Sequence, residues 1–147
     1  MLGELAPDQI EKLLSQEMIG RIGCSANGLT YVVPVTFAYE AGYIYALSKE
    51  GMKIQMMRQN PMVCFEVDSI NDLTNWKSVI AWGTFEELKD TDQKMGLKKL
   101  ISKFEPDKNS ETALPKYQSP HKADFGQYKT IIFRIKLLEK TGRFEKR

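Results

Sequence analysis

Residues 43–68 read YIYALSKEGMKIQMMRQNPMVCFEVD, and this stretch decides the fold. Ile44 and Ala46 alternate with Tyr45 and Leu47, the period of a half-buried strand. Ser48 precedes a helical run from about Gly51 to Gln59, and its hydroxyl is placed to cap the first N–H groups of that helix. Asn60 and Pro61 end the helix, because a proline pushes the residue before it out of the α region. Met62 to Asp68 resumes as a strand rich in Val and Phe. Lys49 and Lys53 lie at the positive end of the helix, where the dipole disfavours cations and favours anions. Two lysines, a hydroxyl and free N–H groups around one helix start make a phosphate site. Position alone leaves a second reading open, two solvated lysines on a surface turn.

Upstream, Leu29 to Tyr39 (LTYVVPVTFAY) predicts a strand with Pro34 in its middle. Proline cannot donate to a ladder, so the position should be an edge, a bulge or a place where backbone faces a ligand. Asn27-Gly28 is the strongest hairpin signal in the chain. It joins this strand to a shorter one over Arg21 to Ser25. Pro7 to Glu17 predicts a helix with Ile10, Leu13 and Leu14 on its apolar face.

Downstream, Ser69 to Asn75 reads as a polar connector and Trp76 to Leu88 as a long strand. Gly83 interrupts that strand as a bulge or barrel bend would. Asp90 to Phe104 predicts an amphipathic helix, capped by Asp90 or Thr91. Its apolar face holds Met95, Leu97, Leu100, Ile101 and Phe104. Residues 105–126 read as a long polar loop, and Lys129 to Leu138 as the last strand. The short connections favour an antiparallel sheet closed into a barrel, mainly β with flanking α, in one domain over residues 1–147. No βαβ alternation, GxGxxG or Walker loop points to a Rossmann or P-loop site.

Composition narrows the partners. The chain has 147 residues, 42% hydrophobic and 27% charged, an ordinary globular balance. Its net charge of +2, from 21 basic and 19 acidic residues, is too small to imply a nucleic-acid or membrane-surface partner. Cys24 and Cys64 sit in apolar strands and read as buried free thiols, although a disulfide is open to them. No Cys/His spacing points to zinc, and His121 is the single histidine, so no metal site is expected. The absence of a long apolar run gives the expectation of a soluble cytoplasmic protein.

The motifs GRIGC at 20–24, YVVPVTF at 31–37, SKEGMK at 48–53, MRQNPMVCFEVD at 57–68, WKSVIAWGTFEEL at 76–88 and EKTGRFEK at 139–146 together resemble a known family. It is that of the pyridoxamine 5′-phosphate oxidase-like, FMN-binding split barrels, in the branch of the nitroimidazole-resistance proteins. The resemblance implies a six-stranded antiparallel split β-barrel that forms a homodimer with one FMN per subunit at the interface. It implies that Pro34, Val35 and Thr36 line the isoalloxazine edge. Leu47 and Ser48 would lie by the ribityl chain and phosphate. Lys53 is then the phosphate lysine, with Lys49 nearby. Ser78 would fall where a polar side chain approaches the cofactor, with Trp76 just before it in the chain. The bland alternatives are a strand threonine at 36, and Trp76 and Trp82 packing the core or the dimer interface. Met52, Met56, Met57 and Met62 read as a soft apolar lining.

Two departures from the family bear on activity. Leu47 stands where many relatives of this branch carry a histidine beside the flavin. The C-terminal TGRFEKR lacks the arginine- and histidine-bearing segment with which true pyridoxamine phosphate oxidases hold substrate. The expected function is therefore an FMN-dependent oxidoreductase acting on an unidentified small molecule, with NAD(P)H as electron donor. The alternative is an FMN carrier or redox sensor without turnover. A deazaflavin cofactor and haem binding through His121 are further alternatives, and nucleic-acid binding ranks last for want of a basic stripe.

Overall fold

The computed structural model describes residues 1–104 and 129–147. The elements run β1 (Leu2–Glu4), α1 (Pro7–Gln16), β2 (Ile19–Ala26), β3 (Leu29–Glu40), β4 (Tyr43–Lys49), α2 (Met52–Gln59), β5 (Met62–Asp72), β6 (Asn75–Glu87), α3 (Asp90–Phe104) and β7 (Thr130–Glu145). The loop expected over 105–126, with His121, lies outside the described residues.

Six strands close on themselves in the order β7-β4-β3-β2-β5-β6, with β6 returning to β7, and β1 adds a seventh along the edge of β7. Every pairing is antiparallel. This is the expected split barrel, with one short strand more. Nothing in Leu-Gly-Glu signals a strand; β1 exists because its register, Leu2↔Glu145 to Glu4↔Arg143, uses a free edge of β7. The last strand also runs past Leu138 to Glu145, pairing with β6 as far as Trp76↔Glu145. The residues past Leu138 give little strand signal because one face of that segment is solvated.

The turns follow their chemistry. Asn27 (φ 52°) and Gly28 (φ 80°) both take positive φ, as a two-residue type I′ hairpin requires. Ala41 (φ 49°) and Gly42 (φ 85°) make a second turn of that kind, with an alanine where a Cβ is unfavourable. The ladder between β6 and β7 shifts register between Trp82 and Gly83. A Cβ on Gly83 would stand 2.3 Å from the Lys136 carbonyl oxygen, so the bulge needs glycine there. The polar connector expected over 69–75 is mostly strand; only the end around Asp72 to Asn75 turns, and Asp72 accepts hydrogen bonds from Thr74 and Asn75.

Phe37, Phe65, Phe133, Ile22, Ile44, Val67 and Val79 fill the barrel with no exposed surface worth counting. Leu13 and Leu14 of α1, and Ile54 and Met57 of α2, join that core. A second cluster lies under α3, where Leu100 meets Ala38, Tyr45, Leu88 and Ile132. Of the four methionines read as a lining, Met56 and Met57 are buried, whereas Met52 and Met62 are more than half exposed. In α3, Met95 likewise faces outward, and it is Gly96 and Leu100 that are buried. Among the described residues no helix is long and apolar enough to cross a membrane.

Candidate functional site at the parting of two strands

The barrel wall opens between β3 and β4. Their ladder runs only from Glu40↔Tyr43 to Phe37↔Ala46. Beyond it β3 stays paired with β2 through Thr36, Val35 and Pro34, and β4 stays paired with β7 through Leu47, Ser48 and Lys49. The two segments face one another with no ladder between them. Strand backbone groups point alternately to either neighbour, so this parting leaves donors and acceptors to be met by something else. Lys103 of α3 meets part of that need. Its ammonium donates to the Phe37 carbonyl at 3.0 Å and to the Glu17 carbonyl at the end of α1. Burial holds its pKa down at about 8.

At the end of β4 the chain turns into α2. The cap of this helix is Gly51, and no side chain bonds to its first N–H groups. Ser48 does not cap it, contrary to expectation: β4 runs on to Lys49, and the Ser48 hydroxyl donates to the Lys49 carbonyl instead, at 3.0 Å. Lys53, in the first turn, is partly buried. Desolvation lowers its pKa, against a weaker opposing pull from the neighbouring Cys24 of the core. Among the described residues no carboxylate lies within ion-pair distance of Lys53. Burial in turn pushes the Cys24 thiol up. A helix start without a side-chain cap, next to a half-desolvated ammonium, is suited to hold an anion.

The other expected residues lie on the outer face of the wall formed by β3, β2, β5 and β6. Pro34 and Thr36 are exposed there, opposite Arg21 and Ile19. Val35 points the other way, into the core, at 7% exposure, and has only backbone to offer a ligand. Ser78 lies opposite Asp68, and its hydroxyl donates to Glu66 Oε2 at 3.3 Å. Arg21 Nη1 is 3.4 Å from both Glu66 Oε1 and Asp68 Oδ2. Trp76 donates its indole N–H to Glu145 at 3.2 Å and walls a cavity of about 520 Å³ with Leu13, Phe144, Gln9 and Asn71. Cys64 points to this outer face and Cys24 to the interior; both are free thiols.

Within one chain the backbones of Pro34–Thr36 and Leu47–Lys49 form the two edges of the parting, but the expected side chains form two groups: Leu47, Ser48, Lys49 and Lys53 around β4 and the α2 start, and Pro34, Thr36, Trp76 and Ser78 on the outer wall. The Leu47 side chain packs against the cluster under α3. The sequence reading missed Arg21, Glu66, Asp68 and Lys103. The signal for the two acids was there, since Glu66 and Asp68 are two apart on a strand and so share a face.

The closed antiparallel barrel with this parted wall defines a split barrel. The chain belongs to the pyridoxamine 5′-phosphate oxidase family, whose model matches residues 6–144. Among solved structures, a FAD-binding protein of Mesorhizobium loti is 30% identical, with 98% of each chain covered and a TM-score of 0.76. A candidate 5-nitroimidazole antibiotic resistance protein of Bacteroides thetaiotaomicron shares the fold at 20% identity. There 98% of this chain and 87% of that one are covered, with a TM-score of 0.74. A curated relative, an uncharacterised protein of Rhizobium meliloti, is 29% identical over 87 residues. That match takes in 59% of this chain and spans 58% of the relative's length.

Proposed function

We propose that the chain binds FMN and works as an oxidoreductase on a small molecule, with NAD(P)H as electron donor and two copies forming the complete flavin site. The observation that carries this reading is the α2 start, an uncapped helix N-terminus beside the half-buried Lys53 with no carboxylate partner among the described residues. Family membership and the 30% identical FAD-binding protein support a flavin. Lys53 and the first N–H groups of α2 would take the phosphate. The parted edges of β3 and β4 would offer backbone groups to the ring and ribityl chain, and Thr36 and Ser78 would offer hydroxyls. Bound flavin supplies the hydride and electron chemistry, and the protein supplies orientation and electrostatics.

The test is the absorption spectrum of the purified protein, followed by titration with FMN, FAD and riboflavin. The reading expects flavin bands and tightest binding of FMN. A colourless protein that takes up none of the three overturns it. Tighter binding of FAD than of FMN keeps the flavin and corrects its identity.

A second reading, a flavin carrier without turnover, is favoured by Leu47. It is an apolar side chain packed under α3, where relatives hold a histidine, and it neither donates nor titrates. Oxidation of NAD(P)H in the presence of quinones or nitroaromatics separates the two.

A further inference from the structure

Two side chains just before α2 have the chemistry to cap it, and both are held elsewhere. The Ser48 hydroxyl donates to the Lys49 carbonyl. Glu50, the residue before the Gly51 cap, is drawn off by the far end of the same helix. Arg58, in the last turn of α2, donates from Nη1 to both Glu50 carboxylate oxygens, at 2.8 and 2.9 Å. Nε of the same guanidinium donates to Glu87 Oε1 of β6 at 2.9 Å, which fixes the plane of the fork. The Glu50 backbone is anchored as well, since its N–H donates to the Lys129 carbonyl at 3.0 Å. Where the carboxylate lies is therefore a matter of its side chain alone.

What Arg58 prevents follows from the charges. A carboxylate is stabilised at a helix N-terminus by the dipole and by the free N–H groups. The first turn of α2 has no acid of its own. Lys53, three residues after Glu50, adds an ammonium that no carboxylate of the described residues pairs with. A Glu50 released from Arg58 has this anion site one residue away along the chain, and a carboxylate lying there excludes a phosphate. We propose that Arg58 is a positioning residue that keeps Glu50 off the α2 start, so that the site stays open to the phosphate of the flavin. This rests on the flavin site proposed above. Partly exposed ion pairs of this kind add little to stability. Their larger consequence is where Glu50 points.

The experiment compares wild type, Arg58→Gln, Glu50→Gln and the double variant by titration with FMN and with riboflavin. Arg58→Gln should bind FMN about fivefold more weakly, the upper range for one exposed ion pair. Riboflavin has no phosphate to exclude and should bind all four proteins alike. Glu50→Gln should bind FMN at least as well as the wild type does. The double variant should regain wild-type affinity, because the competing carboxylate is gone. Arg58→Met is read in the same way if glutamine at 58 impairs folding. Equal weakening of FMN and riboflavin overturns the proposal, since the cluster then only braces α2. A double variant as weak as Arg58→Gln overturns it too, and so does FMN binding that Arg58→Gln leaves unchanged. Nitrogen-15 NMR of the apo-protein follows the backbone N–H groups of Lys53 and Ile54 without cofactor. They should shift in Arg58→Gln and return in the double variant, and no shift overturns the proposal. If those shifts occur and the wild type binds no flavin, it is the flavin site that falls, and not the placing of Glu50.

Discussion

Lys53 carries the argument at the residue scale. A cation at a helix N-terminus is unfavourable, and partial burial adds to the cost. Phosphate reverses both effects through charge-assisted hydrogen bonds. Lys53→Ala should therefore weaken FMN by roughly 1.5–3 kcal/mol, the range for hydrogen bonds to charged groups. Riboflavin, with no phosphate, should bind as before, and the apo-protein should be as stable or slightly more so. Titration of both ligands decides the matter, and equal weakening of the two places the phosphate elsewhere. Lys53 was legible because a lysine in the first turn of a helix violates a local rule. Arg21 was not, and the spacing that puts Glu66 and Asp68 on one face did not single them out, because charged residues alternating along a strand also describe an ordinary solvated face.

Leu47 is the second residue whose replacement is informative. It packs beneath α3, so an imidazole there displaces apolar contact. Leu47→His should cost about 1–2 kcal/mol of stability, an ordinary value for one substitution. FMN affinity should hold, and the change should appear in flavin reoxidation or in nitro-group reduction. Loss of FMN with unaltered kinetics would show that the leucine matters through packing alone.

At the scale of elements, the two-residue turns and the bulge make opposite predictions. Ala41 is held at φ 49°, a conformation that costs an L-residue about 1–2 kcal/mol. Ala41→Gly should recover part of this, less what glycine loses in the unfolded chain, for a net gain of about 0.5 kcal/mol. Gly83→Ala should destabilise by about 1–3 kcal/mol, because its methyl group meets the Lys136 carbonyl and Ile135 across the bulge. Urea unfolding curves measure both, and a Gly83→Ala protein as stable as the wild type would mean that β7 yields at no cost. Sequence pattern located the central strands and α1 to within a few residues, because periodicity and turn residues agree there. It missed β1 and shortened β7, because both depend on a partner edge that appears only once the barrel closes. It put the α2 cap on Ser48 for a related reason: pairing with β7 extends β4 over the residue that would otherwise cap.

At the scale of the whole molecule, the outer wall of β2, β3, β5 and β6 is the surface that two copies would share. Ile19, Val32, Ile70, Ile80 and Trp82 are between 39% and 66% exposed, and they surround the patch of Arg21, Glu66, Asp68 and Ser78. Pro34 and Thr36 lie on the same wall, whereas Lys53 is at the barrel end beside Cys24. The two groups of expected flavin side chains are thus divided within one chain, and in the proposed dimer a second copy against this wall would offer the missing group to each site. A two-fold homodimer is the arrangement in which both sites are completed at once. Ile80→Asp places a charge in the middle of the apolar frame, on a side chain already 39% exposed, so the barrel itself should tolerate it. The variant should run as a folded monomer by light scattering at micromolar concentration. It should also lose FMN, although Lys53 and α2 are untouched. A wild type that is monomeric and still holds FMN sinks the shared site. A monomeric Ile80→Asp that binds FMN as the wild type does would keep the dimer and confine the flavin to one subunit, at the parting of β3 and β4.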